Sequence, residues 1–204
     1  MRSIDKFNNF TEKGRKQIDQ ICLTAAKVFG QNGYLSATLS DVALAAGTTK
    51  GGIFHYFSTK EELLFLIVHR YMNNSLKGLE KKLSAVKSPR EKLYTFISHH
   101  IHNYVEHQNE SRLALLERSN LPRESLEVIK EGERQYETIL RSIVDGVVKE
   151  KGENLDSVRL ISFSLLGMCT FPYMWFDPEG QSTPHQLIET IFKIFCGNLK
   201  IDQS

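Results

Sequence analysis

The sequence predicts an all-α fold of nine helices in a three-plus-six arrangement, and three observations lead there. Apolar residues recur at helical spacing along most of the chain, and no segment shows the two-residue alternation of a strand. The breaks between periodic segments carry caps and turn formers: Thr38, Gly47, Ser88 with Pro89, Pro122, and Asp177 to Gly180.

The first helix places Ile21, Ala25, Val28 and Phe29 on one face and ends near Gly33. Thr38 and Asp41 stand three apart, the spacing of a capping box, and open a second helix with Val42, Ala43 and Ala46 inward. Gly47 sits where a helix end favours a left-handed residue. Thr49 caps a third helix, anchored to the core by Ile53, Phe54 and Phe57, and Gly51 and Gly52 keep its first turn bare for a close approach. Helix, glycine turn and helix in this order make a helix-turn-helix, with Thr49 to Tyr56 as the probing helix.

Six longer helices follow. They run from Glu61 to about Leu83, from Pro89 through Tyr104, from Arg112 to Arg118, from Arg123 to about Lys149, from Leu155 to Trp175 and from Thr183 to Leu199. Lys151 to Asn154 form a polar break. Two domains are expected, residues 1–60 and 61–204, and since no repeat or flexible linker lies between them they share the helix that begins after Lys60.

From Ile21 to Leu64 the chain resembles the DNA-binding domain of the TetR family of bacterial transcriptional regulators. The resemblance rests on Ala25, Phe29 and Gly33, on Val42, Ala43, Ala46 and Gly47, and on TTKGGIFHYF followed by Lys60, Glu61, Glu62 and Leu63. Phe54 stands where the family usually has a tyrosine that often contacts phosphate, a duty left here to His55 or Tyr56. Thr49 and Lys50, at the exposed start of the probing helix, are the first choice for reading base edges, and Gly51 and Gly52 for close backbone approach. Thr38, Thr48 and Lys60 are expected to hold phosphates at helix starts and turns. Arg15 and Lys16 are candidates for an N-terminal arm.

The last two helices are too apolar for a monomer. Phe163, Gly167, Thr170, Phe171 and Met174 on one, with Leu187, Ile191, Ile194 and Phe195 on the other, suit a two-fold four-helix contact, and the resemblance implies the same homodimer. A dimer would present two probing helices to half-sites of a palindromic operator about 34–36 Å apart. Phe96, His100, Tyr104, Leu115, Tyr136, Phe163 and Trp175 are candidates to line an effector cavity, with Gly132 and Gly146 making room on a long helix. The stretch from Gly167 to Pro184 resembles a turn in the family members that regulate fatty-acid and acyl-CoA catabolism. It matches at Tyr173, Trp175, Pro178, Glu179 and Gly180 and departs at Thr170, Phe171, Pro172 and Phe176. An acyl-CoA is therefore the expected effector, ahead of another lipophilic small molecule, and the expected activity is ligand-released repression.

Composition agrees with a globular protein: 41% of the 204 residues are hydrophobic. No apolar run approaches the roughly 20 residues that span a bilayer, and the N-terminus has no hydrophobic stretch resembling a signal peptide, so no membrane partner and a cytoplasmic location are expected. Through Lys60, eight basic residues stand against four acids, so the excess of positive charge lies with the helix-turn-helix. Cys22, Cys169 and Cys196 fall inside apolar patterns and read as small buried hydrophobes. No cofactor or metal is expected. The competing class is a helical metal hydrolase using His99, His102 and Glu106; no P-loop, nucleophile motif or Rossmann fingerprint accompanies it.

Overall fold

The computed structural model describes residues 6, 7, 9–150 and 158–198, and among them it holds nine α-helices and no strand. They are α1 (Glu12–Asn32), α2 (Leu39–Ala45), α3 (Lys50–Tyr56), α4 (Lys60–Ser84), α5 (Pro89–Glu106), α6 (Gln108–Leu116), α7 (Arg123–Glu150), α8 (Val158–Thr170) and α9 (Pro184–Asn198). Short 3-10 turns cover Arg118–Asn120 and Phe171–Met174. The polar break at Lys151 to Asn154, the expected start at Leu155 and the expected end at Leu199 lie outside the described residues.

Three expected helices change limits: the one expected from Arg112 to Arg118 runs instead over Gln108–Leu116, with a separate 3-10 turn from Arg118, and two others shift for local reasons. The first helix begins at Glu12, because Thr11 caps it by accepting from Gly14 N–H. Arg15 and Lys16 therefore belong to its opening turns, and Lys16 pairs with Glu12 at 3.0 Å. The eighth helix stops at Thr170 instead of running to Trp175, since Pro172 has no N–H to continue the ladder and the chain tightens into a 3-10 turn.

The chain forms two compact units, residues 1–72 with 109–131 and residues 73–108 with 132–204. The first unit reaches beyond the expected limit at Lys60 because Leu64, Leu66 and Val68 of α4, with Leu113, Leu121 and Ile129, are buried in the same cluster as Ile18, Ala25, Phe29, Val42 and Ile53. In the second unit, Phe96, Ile97 and Ile101 of α5 pack with Leu140, Val144 and Val147 of α7, Leu165 and Cys169 of α8, and Ile188, Ile191 and Phe195 of α9. Among the described residues no helix is long and apolar enough to cross a membrane.

All three cysteines are buried, and none is in a disulfide. Burial pushes the thiols of Cys22 and Cys169 up to about 12, so both stay protonated and inert at neutral pH.

Candidate nucleic-acid interface and effector core

Local hydrogen bonds set the geometry of α2 and α3. Thr38 accepts from Asp41 N–H (3.2 Å) and Asp41 accepts from Thr38 N–H (2.8 Å), so the capping box is complete. Losing such a cap typically costs about 1 kcal/mol. The Thr38 hydroxyl also donates to the Asp41 carboxylate (2.7 Å), and these bonds hold the Asp41 carboxyl below its ordinary range. Gly47 has φ +63°, and Thr48 N–H then donates to the Ala43 carbonyl (3.0 Å), which closes the turn. Thr49 accepts from Gly52 N–H (3.0 Å) and starts α3.

On α3, Ile53 is buried while Thr49, Lys50, Gly51, Phe54 and His55 are exposed. The two glycines differ. A Cβ on Gly52 would lie 2.5 Å from Thr48 Oγ1 and 3.3 Å from Thr49 Oγ1, so Gly52 lets the turn pack on itself. A Cβ on Gly51 would meet only Thr49 Oγ1, at 3.9 Å, so nothing inside the protein demands a glycine there. Phe54, expected as a core anchor, instead lies outside with the Lys50 ammonium 5.9 Å from its ring centre. The i,i+4 spacing of Lys50 and Phe54 was the available signal for this pairing. Phe10 packs against both His55 (5.8 Å) and Tyr56 (5.2 Å), a contact that helical periodicity could not reveal.

Lys60, expected to hold a phosphate, has its ammonium engaged within the protein. Its ammonium donates to the carbonyls of Tyr34 (3.0 Å), Leu35 (2.9 Å) and Ala37 (3.3 Å) and lies 4.7 Å from the centre of the Tyr34 ring. An ammonium has three N–H groups, and three carbonyls use them all.

The effector candidates separate. Phe96, His100 and Tyr136 come together: the Phe96 and Tyr136 rings are 5.1 Å apart, and Tyr136 Oη lies 3.2 Å from His100 Nδ1. Thr170 Oγ1, expected at a dimer contact, lies 3.3 Å from His100 Nε2. Burial pushes the His100 pKa down to about 4, so the imidazole is neutral at physiological pH. Tyr104 is buried in the same cluster. Leu115 belongs to the first unit and is exposed, and Phe163 and Trp175 are exposed as well, so none of the three lines this core. On the α5 and α7 helices that carry Phe96 and Tyr136, a cleft of about 500 Å³ is lined by Leu83, Pro89, Lys92, Ile139, Ile143 and Gly146, among others.

The expected dimer residues also divide. Leu187, Ile191 and Phe195 are buried within the unit, because the α9 stripe faces α5 and α8. Exposed instead are Leu160, Phe163, Gly167, Phe171, Met174 and Trp175, which recur at three- and four-residue steps for most of their length, with Ile194 on α9.

The histidines expected of a hydrolase face different partners. His99 is buried and donates from Nε2 to the Ser75 carbonyl (2.8 Å), whereas exposed His102 donates from Nδ1 to the Ser98 carbonyl (2.7 Å). Among the described residues no three His, Cys, Asp or Glu side chains gather as a metal site would require.

Known proteins agree with this geometry. The fatty acid metabolism regulator protein of Bacillus subtilis is 28% identical over 139 residues, covering 67% of this chain and 68% of the relative. The HTH-type transcriptional repressor KstR2 of Mycolicibacterium smegmatis is 24% identical over 195 residues, 91% of each chain. The crystal structure of AibR in complex with isovaleryl coenzyme A and operator DNA superposes with a TM-score of 0.76 at 26% identity, covering 87% of this chain and 97% of that one. Residues 21–67 match the family described as bacterial regulatory proteins, tetR family, and residues 86–199 match the tetracyclin repressor-like C-terminal domain. With both segments matched on an all-helical fold, the chain belongs to the TetR family of transcriptional regulators, whose N-terminal helix-turn-helix binds DNA.

Proposed function

We propose that this chain is a homodimeric transcriptional repressor that leaves a palindromic operator when an acyl-CoA or a similar lipophilic effector enters the second unit. The observation that carries the DNA half is the exposed first turn of α3, where Thr49, Lys50 and Gly51 face solvent on a frame fixed by two caps. Lys50 suits a guanine edge, and the bare Gly51 admits a DNA backbone. Thr38, Thr48, His55 and Tyr56 flank this turn and position the duplex.

Dimerisation follows from the apolar face on α8 and the turn after it. Phe163, Gly167, Phe171, Met174 and Ile194 would be covered by a second copy, and a dimer would carry two α3 helices for the two half-sites of an operator.

The effector reading rests on the seam between α5 and α7. An apolar chain lying in the cleft beside Ile139 and Ile143 would run along the two helices that carry Phe96 and Tyr136, toward the hydrogen-bonding group of His100, Tyr136 and Thr170. Among the described residues no Lys, Arg, Asp or Glu is buried. The uncharged acyl part of such an effector would therefore bury against no fully buried ionised side chain. The relatives support the class: one is a fatty acid metabolism regulator, and AibR was crystallised with isovaleryl coenzyme A and operator DNA.

Selection of binding sites from random duplexes, followed by release of the selected duplex with acyl-CoAs of graded chain length, tests both halves. A palindrome bound by a dimer and released by one range of chain lengths is expected. Selection that yields no shared sequence would overturn the DNA reading, and a duplex that every acyl-CoA leaves bound would overturn the effector reading.

A further inference from the structure

We infer that Lys60 is a positioning residue for DNA binding, which fixes the approach of α2 to the duplex from inside the protein and makes no phosphate contact of its own. The inference rests on the DNA-binding reading above and concerns how that site is held.

Lys60 is the first residue of α4, and its three acceptors lie in the loop between α1 and α2. That loop leaves α1 at Gly33, which has φ +76°, and ends at Thr38, the cap of α2. One ammonium thus ties the start of α4 to the four residues that deliver Thr38. Tyr34 completes the clamp. Its ring is buried, packs edge-on against Phe29 at 5.2 Å, and presents its face to the ammonium. A cation over an aromatic face gains electrostatic attraction that grows as water is excluded. Turning Lys60 outward to a phosphate would strip three carbonyls of their donor, two of them in partly buried bonds.

Salt dependence separates the two roles. Each phosphate contact contributes about 0.9 to the slope of log affinity against log salt concentration, so removing a true contact lowers the slope by about that amount. Lys60→Met is expected to weaken binding to the selected operator about tenfold, as loss of a charge-assisted hydrogen-bond set should, with the slope unchanged. Lys60→Arg keeps the charge, but a flat guanidinium cannot serve three converging carbonyls. It is therefore expected to lose affinity to a similar degree. In both variants the Asp41 amide, held by the Thr38 cap, should exchange its hydrogen faster, while amides in the middle of α5 stay as in wild type. A slope reduced by about 0.9 in Lys60→Met would overturn the inference, and so would wild-type affinity in Lys60→Arg. If Lys60→Met does not fold, the arginine variant decides. Wild-type protein that selects no operator at all would sink the DNA-binding reading itself, an outcome distinct from either of these.

Discussion

The helix-turn-helix and the core of the second unit place their polar groups in opposite ways. In the first, hydroxyls and carboxylates sit at the surface and bond three residues away: Thr38 with Asp41, Thr49 with Gly52. In the second, they sit inside and bond across helices: His99 to Ser75 at a separation of 24 residues, His100 to Tyr136 at 36, Thr170 to His100 at 70. Surface polarity at helix starts leaves a face for a large polar partner. Interior polarity in an apolar cluster specifies how helices meet, and it offers a small ligand something to compete for.

The largest effect should come from the apolar residues of the second unit, where core and surface divide sharply. Phe195 is 6% exposed and Phe171 60%. Phe195→Ala should cost about 3–5 kcal/mol in a denaturant titration, whereas Phe171→Ala should change monomer stability by less than about 0.5 kcal/mol. Phe171→Glu with Met174→Glu should leave the fold intact and shift the species in light scattering from dimer to monomer. A dimer that survives both charges would remove this face from the interface.

Acid should separate the two regions next. A histidine whose folded pKa lies below its unfolded value of about 6.5 takes up its proton only on unfolding. Stability from such a group is complete above pH 6.5 and falls as the pH drops toward the folded value, about 4 for His100. Over that window the loss reaches roughly 3 kcal/mol for one group. His99, also lowered by burial, acts in the same direction. Asp41 acts in the same direction but in a lower window: its carboxyl is held low by the Thr38 bonds, so its contribution is complete above the usual carboxylate range and is lost only as the pH falls through that range. Residue-resolved amide spectra taken from pH 7 down to 4 should therefore show α5 and α7 loosening before α2. His100→Leu should flatten the decline. Simultaneous loss of both regions, unchanged in the variant, would contradict the contrast.

Gly51 and Gly52 test the surface side of the comparison on a smaller scale. Gly52→Ala must push Thr48 and the Thr49 cap aside and should cost about 1–2 kcal/mol. Gly51→Ala has room and should gain about 0.5 kcal/mol from helix propensity. Only Gly51→Ala should bind the operator more weakly while being at least as stable, because its methyl meets the duplex and not the protein. Equal operator binding by wild type and Gly51→Ala would remove the close approach.

The same contrast explains what could be read from the sequence. Caps, the glycine turn and the Thr49 helix start were legible because each depends on residues one to four apart. Helical periodicity likewise revealed an apolar stripe on α9, but not that Ile191 and Phe195 would be covered by α5 and α8 of the same chain. Phe54 was misplaced for a related reason: an aromatic residue beside a buried Ile53 looks like core until a lysine one turn earlier is seen to cover it. The second unit's polar group was half legible. His100 and Tyr136 were named as cavity candidates, but their link to Thr170 spans 70 residues, and no local pattern encodes it. Lys60 suggests an external partner from the sequence because a lysine at a helix start near a DNA-facing edge suits a phosphate. Its partners within the chain are backbone carbonyls, which every residue has and which no sequence pattern marks.

Tyr34→Phe should give the smallest effect. The Tyr34 hydroxyl is buried without a hydrogen-bond partner, and burial raises its pKa beyond the usual phenol range. Removing an unsatisfied buried hydroxyl relieves a desolvation penalty, so Tyr34→Phe should be neutral or more stable by up to about 1 kcal/mol in thermal melts. The phenyl ring keeps its edge against Phe29 and its face under the Lys60 ammonium, so operator affinity and its salt slope should stay at wild-type values. Tyr34→Leu removes that face and should weaken operator binding along with Lys60→Met. If Tyr34→Phe instead destabilised the first unit, the hydroxyl would have a bonded partner such as a buried water, and the loop before α2 would be held by polar contacts at both ends of the tyrosine.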